Sequence, residues 1–330
     1  MAARWRAAIP RGGIAMLMYL MRRLLSAIPV LVLVSLLTLS LIWLVPGDAA
    51  AELAGPGAST QELARLRTEL GLDRPAYVQA YRWYLNVLHG DLGRSLLLNR
   101  GVTEAIVERL PVTGSLTLLA LLMTVAVGMT SGVLAAVRRN TWVDQLSMSL
   151  AMLGLSLPDF WLGLVSIYLF SVQLGWFPTG GYVAFSTSPL GWLHSLFLPA
   201  AALAATQLGL LARMTRSSML EVLGQDYIRT ARAKGVPPRT VVGKHALINI
   251  AVPTITVIGV NVGILIGGAV IVESVFSIPG VGRLVIGAIQ RRDLPVIQGG
   301  LLMIACAMVI VNLLVDVLYA VFDPRVRYGR

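Results

Sequence analysis

Residues 217–253 read SSMLEVLGQDYIRTARAKGVPPRTVVGKHALINIAVP, a polar stretch set between two long apolar runs. Within it Met219, Leu220, Leu223, Tyr227, Ile228 and Ala231 recur at helical spacing, which predicts an amphipathic helix. Gly235 suits a left-handed C-cap, and Pro237-Pro238 cannot continue that helix but can open another. Val241, Val242, His245 and Leu247 continue a second short helical segment. The expectation is a hairpin over 217–248, helix, glycine turn and helix, held outside the bilayer by spans on both sides. Arg229, Arg232, Lys234, Arg239 and Lys244 assign it to the cytoplasmic side. A compact basic hairpin in that position has the form of a plug for a groove on another protein.

Composition agrees with membrane flanks. Of 330 residues 56% are hydrophobic and 13% charged, about half the charged fraction of an ordinary soluble domain. The net charge of +11 raises the question of nucleic acid, but the basic residues fall in short clusters between apolar runs, as the positive-inside rule requires. One cysteine, Cys306, rules out a disulfide or a Cys-based metal site within one chain. His89, His194 and His245 are scattered and read as structural or interfacial residues rather than ligands.

The hydropathy pattern predicts six transmembrane helices, with both termini cytoplasmic. Arg4, Arg6, Arg11, Arg22 and Arg23 precede the first, 24–45, which is longer than the core of about 7–15 residues in a cleaved signal peptide. Residues 46–111 form a polar extracytoplasmic segment. Thr60–Leu70, within STQELARLRTEL, is expected to be a capped surface helix, Tyr77–Leu88 a second, and residues 90–95 a turn. Further spans follow at about 112–137, 146–174, 193–211, 252–275 and 296–322, the third carrying Ser156-Leu157-Pro158-Asp159-Phe160-Trp161 near its start. Trp176, Phe177, Tyr182 and Trp192 flank an outer loop in the manner of an interfacial belt. Gly259, Gly263 and Gly267 lie four apart, a helix-packing face, and Gly128 and Gly132 repeat the device. Residues 276–295, SIPGVGRLVIGAIQRRDLP after Phe276, fit neither a span nor a simple loop and read as a partly re-entrant outer segment. The tail, 323–330, is basic and cytoplasmic.

No phosphate-binding loop is present: Gly243-Lys244 is followed by His245 where Ser or Thr is needed, and Pro238 occupies the position of the first glycine. Paired-His metal motifs and a nucleophile elbow are also missing, so no residue is assigned a catalytic or metal-ligating role. Polar residues inside spans are candidates for a translocation pathway or gate. Asp159, Phe160, Asn261 and Glu273 are taken as that set. Asp159 and Glu273 lie near span ends, where hydration is cheap, and Asn261 serves equally as a helix–helix hydrogen bond. Asp316 suits pairing with a neighbouring Arg.

The run Arg229-Thr230-Ala231-Arg232-Ala233-Lys234-Gly235, followed by His245-Ala246-Leu247 and Asn249, resembles the coupling loop (EAA loop) of ABC-importer permeases. It is most similar to the dipeptide/oligopeptide branch; Arg229 stands where the general consensus has glutamate, and His245, Leu247 and Ile248 where it has isoleucine, leucine and proline. GLDRP and GDLGRS, in a large outer segment after the first span, resemble the B-type (DppB/OppB-like) member of the permease pair. The resemblance implies a type I importer permease fold and half of a translocation pathway for di- or oligopeptides in a multi-pass bacterial cell-membrane protein. It also implies a homologous second permease (DppC/OppC-like), two ATPase subunits or domains that use ATP and Mg, and an extracytoplasmic substrate-binding protein. This chain itself would bind no cofactor. Residues 229–235 would be the ATPase-coupling site, and the outer segment a docking site for the binding protein or a spacer. The nearest alternatives are the same machine for nickel, glutathione, haem or another solute. More distant ones are an ion-coupled secondary transporter using Asp159, Glu273 and Asp316 as relays, and a membrane scaffold.

Overall fold

A computed structural model describes residues 13–44, 59–69, 73–95 and 97–322. Expectations placed on the first arginines, on 45–58 and on the 323–330 tail lie outside the described residues. In chain order the elements are α1 (Gly13–Leu44), α2 (Thr60–Glu69), α3 (Ala76–Leu88), β1 (Arg94–Ser95), β2 (Arg100–Gly101), α4 (Val102–Val107), α5 (Leu110–Val137) and α6 (Trp142–Ser156). There follow α7 (Asp159–Ser166, continued by a wider π turn, Ile167–Gln173), α8 (Pro189–Leu223), α9 (Asp226–Ala233) and α10 (Pro238–Thr240, continued by a π turn, Val241–Ala246). The last are α11 (Ala251–Val275), α12 (Val281–Gln290) and α13 (Leu294–Phe322). Among the described residues five helices are long and apolar enough to cross a bilayer, and a bent pair raises the number to six.

That pair covers the expected third span. Residues 146–174 do not form one rod: α6 and α7 meet at a 104° bend. A proline ring crowds the residue before it out of the helical region, and Leu157 is extended at φ −103°, ψ 132°. Pro158 then serves as the residue that starts α7. The expected fourth span, 193–211, is likewise one part of a 35-residue helix, α8, opened by Ser188, whose hydroxyl accepts from the Gly191 N–H at 3.0 Å, and by Pro189 in the first turn.

The chain divides into two compact units. One comprises residues 1–25, 114–278 and 308–330. Helices α6 and α8 approach closely in it: a Cβ on Gly209 would collide with the Ala151 carbonyl and one on Gly154 would lie 2.7 Å from that of Ala205. Small residues on both helices let the backbones touch. Gly132 plays the same part between α5 and α8, its missing Cβ falling 2.5 Å from the Ala212 carbonyl oxygen. On the face expected at Gly259, Gly263 and Gly267, Gly259 is filled by Val315 of α13 and Gly263 lies near Met308, while within this chain no atom comes within 4 Å of a Cβ at Gly267. Its neighbour Gly268 is the close-packed one, against Leu203 and Asp159. At the loop after α7, the Gly181 N–H donates to the Phe276 carbonyl at 3.0 Å, and Phe177 stacks on His194 and Phe197.

The second unit comprises residues 26–113 and 279–307. Its core gathers Leu92, Val102, Ile106, Val281, Val285 and Val296. The two-residue strands β1 and β2 pair antiparallel, Arg94 with Gly101 and Ser95 with Arg100. Ser95 donates its hydroxyl to Asp293, a buried bond across 198 residues of sequence. The Val281 N–H donates to Thr113 Oγ1 at 2.9 Å and so fixes the start of α12. Helix α2 opens with a reciprocal cap: Ser59 N–H donates to the Glu62 carboxylate and the Glu62 N–H to Ser59 Oγ. The Ser59 N–H and hydroxyl, both donating to it, hold the Glu62 carboxyl below its ordinary range.

Candidate coupling hairpin and pathway residues

The hairpin is built from three short pieces rather than two. The amphipathic helix expected to run through 217–231 is interrupted: Met219, Leu220 and Leu223 belong to the end of α8, which stops at Gly224. Gln225 takes an extended conformation and α9 starts afresh at Asp226. The physical reason is local, since Gly224 is a poor interior helix residue and the Gln225–Asp226 pair offers a new start with an acidic first turn.

The end of α9 is closed by the glycine turn. Gly235 has φ +76°, its N–H donates to the Arg232 carbonyl at 2.9 Å, and the Val236 N–H reaches the Ala231 carbonyl at 3.2 Å. Both bonds of the Schellman motif are therefore made, which ties the tip into one shape. A Cβ on Gly235 would meet no atom within 4 Å. Within this chain the glycine is required by its backbone angle and not by crowding.

The tip is exposed and its base is buried. Arg229, Thr230, Arg232, Ala233, Lys234 and Gly235 are exposed, whereas Ala231 is half-buried and turns partly toward the hairpin itself. Ile228 is fully buried and anchors α9. Beneath it a cluster of Ala136, Met219, Ala246 and Ile250, with Val133 and Leu247 packed against it, joins the ends of α5 and α8 to the return segment. Arg229 pairs with Asp226 at 3.4 Å, both exposed, a contact worth little. Partial burial pushes the Tyr227 phenol up, so it stays neutral.

A residue pair that sequence reading missed braces the base. Arg216, near the end of α8, donates Nε and a terminal nitrogen to the two carboxylate oxygens of Asp144 at 2.6 and 2.7 Å. Asp144 is 3% exposed and also accepts the Asn140 N–H at 3.0 Å, in a turn where Asn140 has φ +63°. Such a two-point bond fixes orientation as well as distance. Nothing in the sequence neighbourhood of Arg216 points to a partner 72 residues away.

The expected pathway residues do not converge on one site. Asp159 sits in the first turn of α7, accepts the Thr206 hydroxyl of α8 and lies beside Gly268 of α11, so it ties three helices together. Phe160 next to it is exposed. Asn261, seven residues before Gly268 and so about 10 Å along α11, is fully buried with neither amide atom partnered; it does not make the helix–helix hydrogen bond considered for it. Glu273 is fully buried near the end of α11, and its backbone carbonyl accepts the Ile278 N–H at 2.8 Å. Asp316 pairs with Arg23 at 3.1 Å. Among the described residues no three His, Cys, Asp or Glu side chains gather as a metal site would require.

Residues 128–328 match the binding-protein-dependent transport system inner membrane component family, and 16–117 match the N-terminal component of the same transport systems. A Brucella abortus protein, provisionally named a peptide transport system permease, is 54% identical over 309 residues, 94% of this chain and 98% of that one. The glutathione transport system permease protein GsiC of Salmonella paratyphi A is 44% identical over 313 residues, 95% of this chain and all of that one. A chain of the inward-facing MetNI methionine ABC transporter covers 66% of this chain with a TM-score of 0.54 at 18% identity, which is a likeness of fold.

Proposed function

We propose a mechanical role for this chain from one premise: it belongs to the inner membrane components of binding-protein-dependent transport systems. It is a permease of the ABC-importer class in the bacterial inner membrane. It forms half of the path that the cargo takes, and a second, homologous permease forms the other half. ATP and Mg are used by separate ATPase subunits, which this chain meets through the exposed tip of residues 229–235. The carrying observation is the contrast between that tip, closed by both Schellman bonds and open to solvent, and its base, buried and braced by Asp144–Arg216. A rigid knob on a rigid mount transmits displacement; a flexible loop would absorb it. ATPase closure moves the knob, and α8 and α11, which it joins, reorient with it. A ligand shifts such an equilibrium only by its differential affinity for the two states, and ATP binding supplies that difference.

The hairpin lies in the cytoplasm, where its arginines and lysines satisfy the positive-inside rule, and both termini share that side. One passage of α11 separates the hairpin from the segment after Phe276, which is therefore extracytoplasmic and available to the binding protein. The cargo class is peptides, in keeping with relatives named for peptide and glutathione transport. Glutathione, itself a short peptide, is the second reading those names favour.

The test uses the native assembly. Cysteines introduced at Thr230 and Ala233 should crosslink to an ATPase subunit, and the co-purified binding protein should carry a peptide detectable by mass spectrometry. A tip that reacts only with reagents added from outside the cell overturns the assignment.

A further inference from the structure

The unit formed by residues 26–113 and 279–307 contains a pocket that coupling does not use. It has a volume of about 220 Å³. One wall follows α12, with Arg283 and Gly287 four residues apart on the helix and Arg291 capping its end. The facing wall carries Leu97, Leu98 and Arg109, and Asp293 closes one side. Three arginines and one aspartate thus line the pocket. Asp293 is buried and already accepts the Ser95 hydroxyl, and the side chains lining the pocket carry three formal positive charges against one negative. Arg109 is held by a bond from its terminal nitrogen to the Ala105 carbonyl at 2.8 Å, and Arg291 is exposed at the end of α12. The rest of the lining is largely aliphatic.

We propose that this pocket is the seat for an acidic side chain, Glu or Asp, projecting from the substrate-binding protein. The inference rests on the extracytoplasmic orientation given above. Guanidinium groups match carboxylates by paired N–H donors, and the aliphatic wall suits the methylenes of a side chain. The volume admits one side chain and not a folded surface, so the contact is a peg in a socket that sets register while the surrounding faces meet. A partner permease packed within the bilayer offers apolar helix faces; the charge here calls for a group delivered from water, and the binding protein is the aqueous partner on which this family depends.

The test uses the complete transporter in nanodiscs and, as probe, the labelled binding protein that co-purifies with it. Arg291→Glu should raise its Kd about tenfold or more at low ionic strength, and the salt dependence of binding should flatten. Arg291→Lys, which keeps the charge, should recover most of the affinity, so that a general loss of folding is distinguished from loss of the charge. Binding by Arg291→Glu equal to wild type at low salt overturns the proposal. So does a defect that appears only in nanodiscs containing anionic lipid, which would identify a lipid phosphate as the occupant. If wild type itself fails to bind the probe, the orientation given under the proposed function falls and takes this inference with it; normal wild-type binding beside an indifferent variant removes this inference alone.

Discussion

Gly235 illustrates how little chemistry a mechanical part needs. Its left-handed backbone, φ +76°, costs an L-residue about 1–2 kcal/mol, and a β-branched side chain more. Gly235→Val is therefore expected to open the tip without unfolding the permease, leaving ATP hydrolysis running while uptake falls. Gly235→Asn, which tolerates that conformation, should stay coupled. The ratio of uptake to hydrolysis in proteoliposomes checks both, and equal ratios in Val and wild type would remove the tip from the coupling path. Asn261 presents the opposite case. A buried amide with no partner is a net cost to the fold of about 1–3 kcal/mol, so Asn261→Leu should raise the melting temperature of the purified chain. If the amide serves transport, as a polar group retained inside a span usually does, the same variant should lower uptake. A variant that loses stability instead would mean that Asn261 is structural.

Among elements, α11 separates what was legible from what was not. Its length, and the existence of the hairpin before it, follow from hydropathy and from glycine and proline punctuation, which are local signals. Its glycine face is only partly used within this chain for a geometric reason: a step of four residues advances about 40° around a helix of 3.6 residues per turn, so Gly267 lies away from the side on which Gly259 meets Val315. Gly259→Ala should accordingly destabilise the chain, because a stiff β-branched neighbour cannot yield, whereas Gly267→Ala should be neutral or stabilising by about 1 kcal/mol. Thermal unfolding of the two variants in detergent decides this, and a larger loss at Gly267 would return the packing face to the original register. Proline at 158 was visible as a perturbation of the third span, yet the 104° bend depends on what receives α7, namely Thr206 and Gly268. The Asp144–Arg216 bond was not visible at all, because charges at span ends read as markers of sidedness and pairing between distant spans leaves no periodic trace.

At the scale of the molecule, two compact units with separate cores divide the work: one carries the hairpin and its brace, the other the arginine-lined pocket. Each has a fully buried branched residue at its centre, Ile106 in the core with Leu92 and Val285 and Ile250 in the core under the hairpin. Truncating either to Ala should cost about 2–5 kcal/mol, but the loss should stay local, since opening of a protein proceeds in cooperative pieces rather than uniformly. Hydrogen exchange followed by mass spectrometry should show Ile106→Ala raising exchange across 92–106 and 281–302 while 219–250 is unchanged, and Ile250→Ala doing the reverse. Function should divide along the same line, the first variant losing stimulation by the binding protein and the second losing coupling to the ATPase. The same argument bears on the outer segment as a docking element: deletion of 55–100 would remove Leu92 together with the Trp83 and Val87 that pack on this core, so loss of transport after that deletion would report collapse of the unit and not loss of a docking surface. Exchange rising in both stretches for both variants would mean that the chain opens as one block, and that lesions in the two units cannot be told apart by stability.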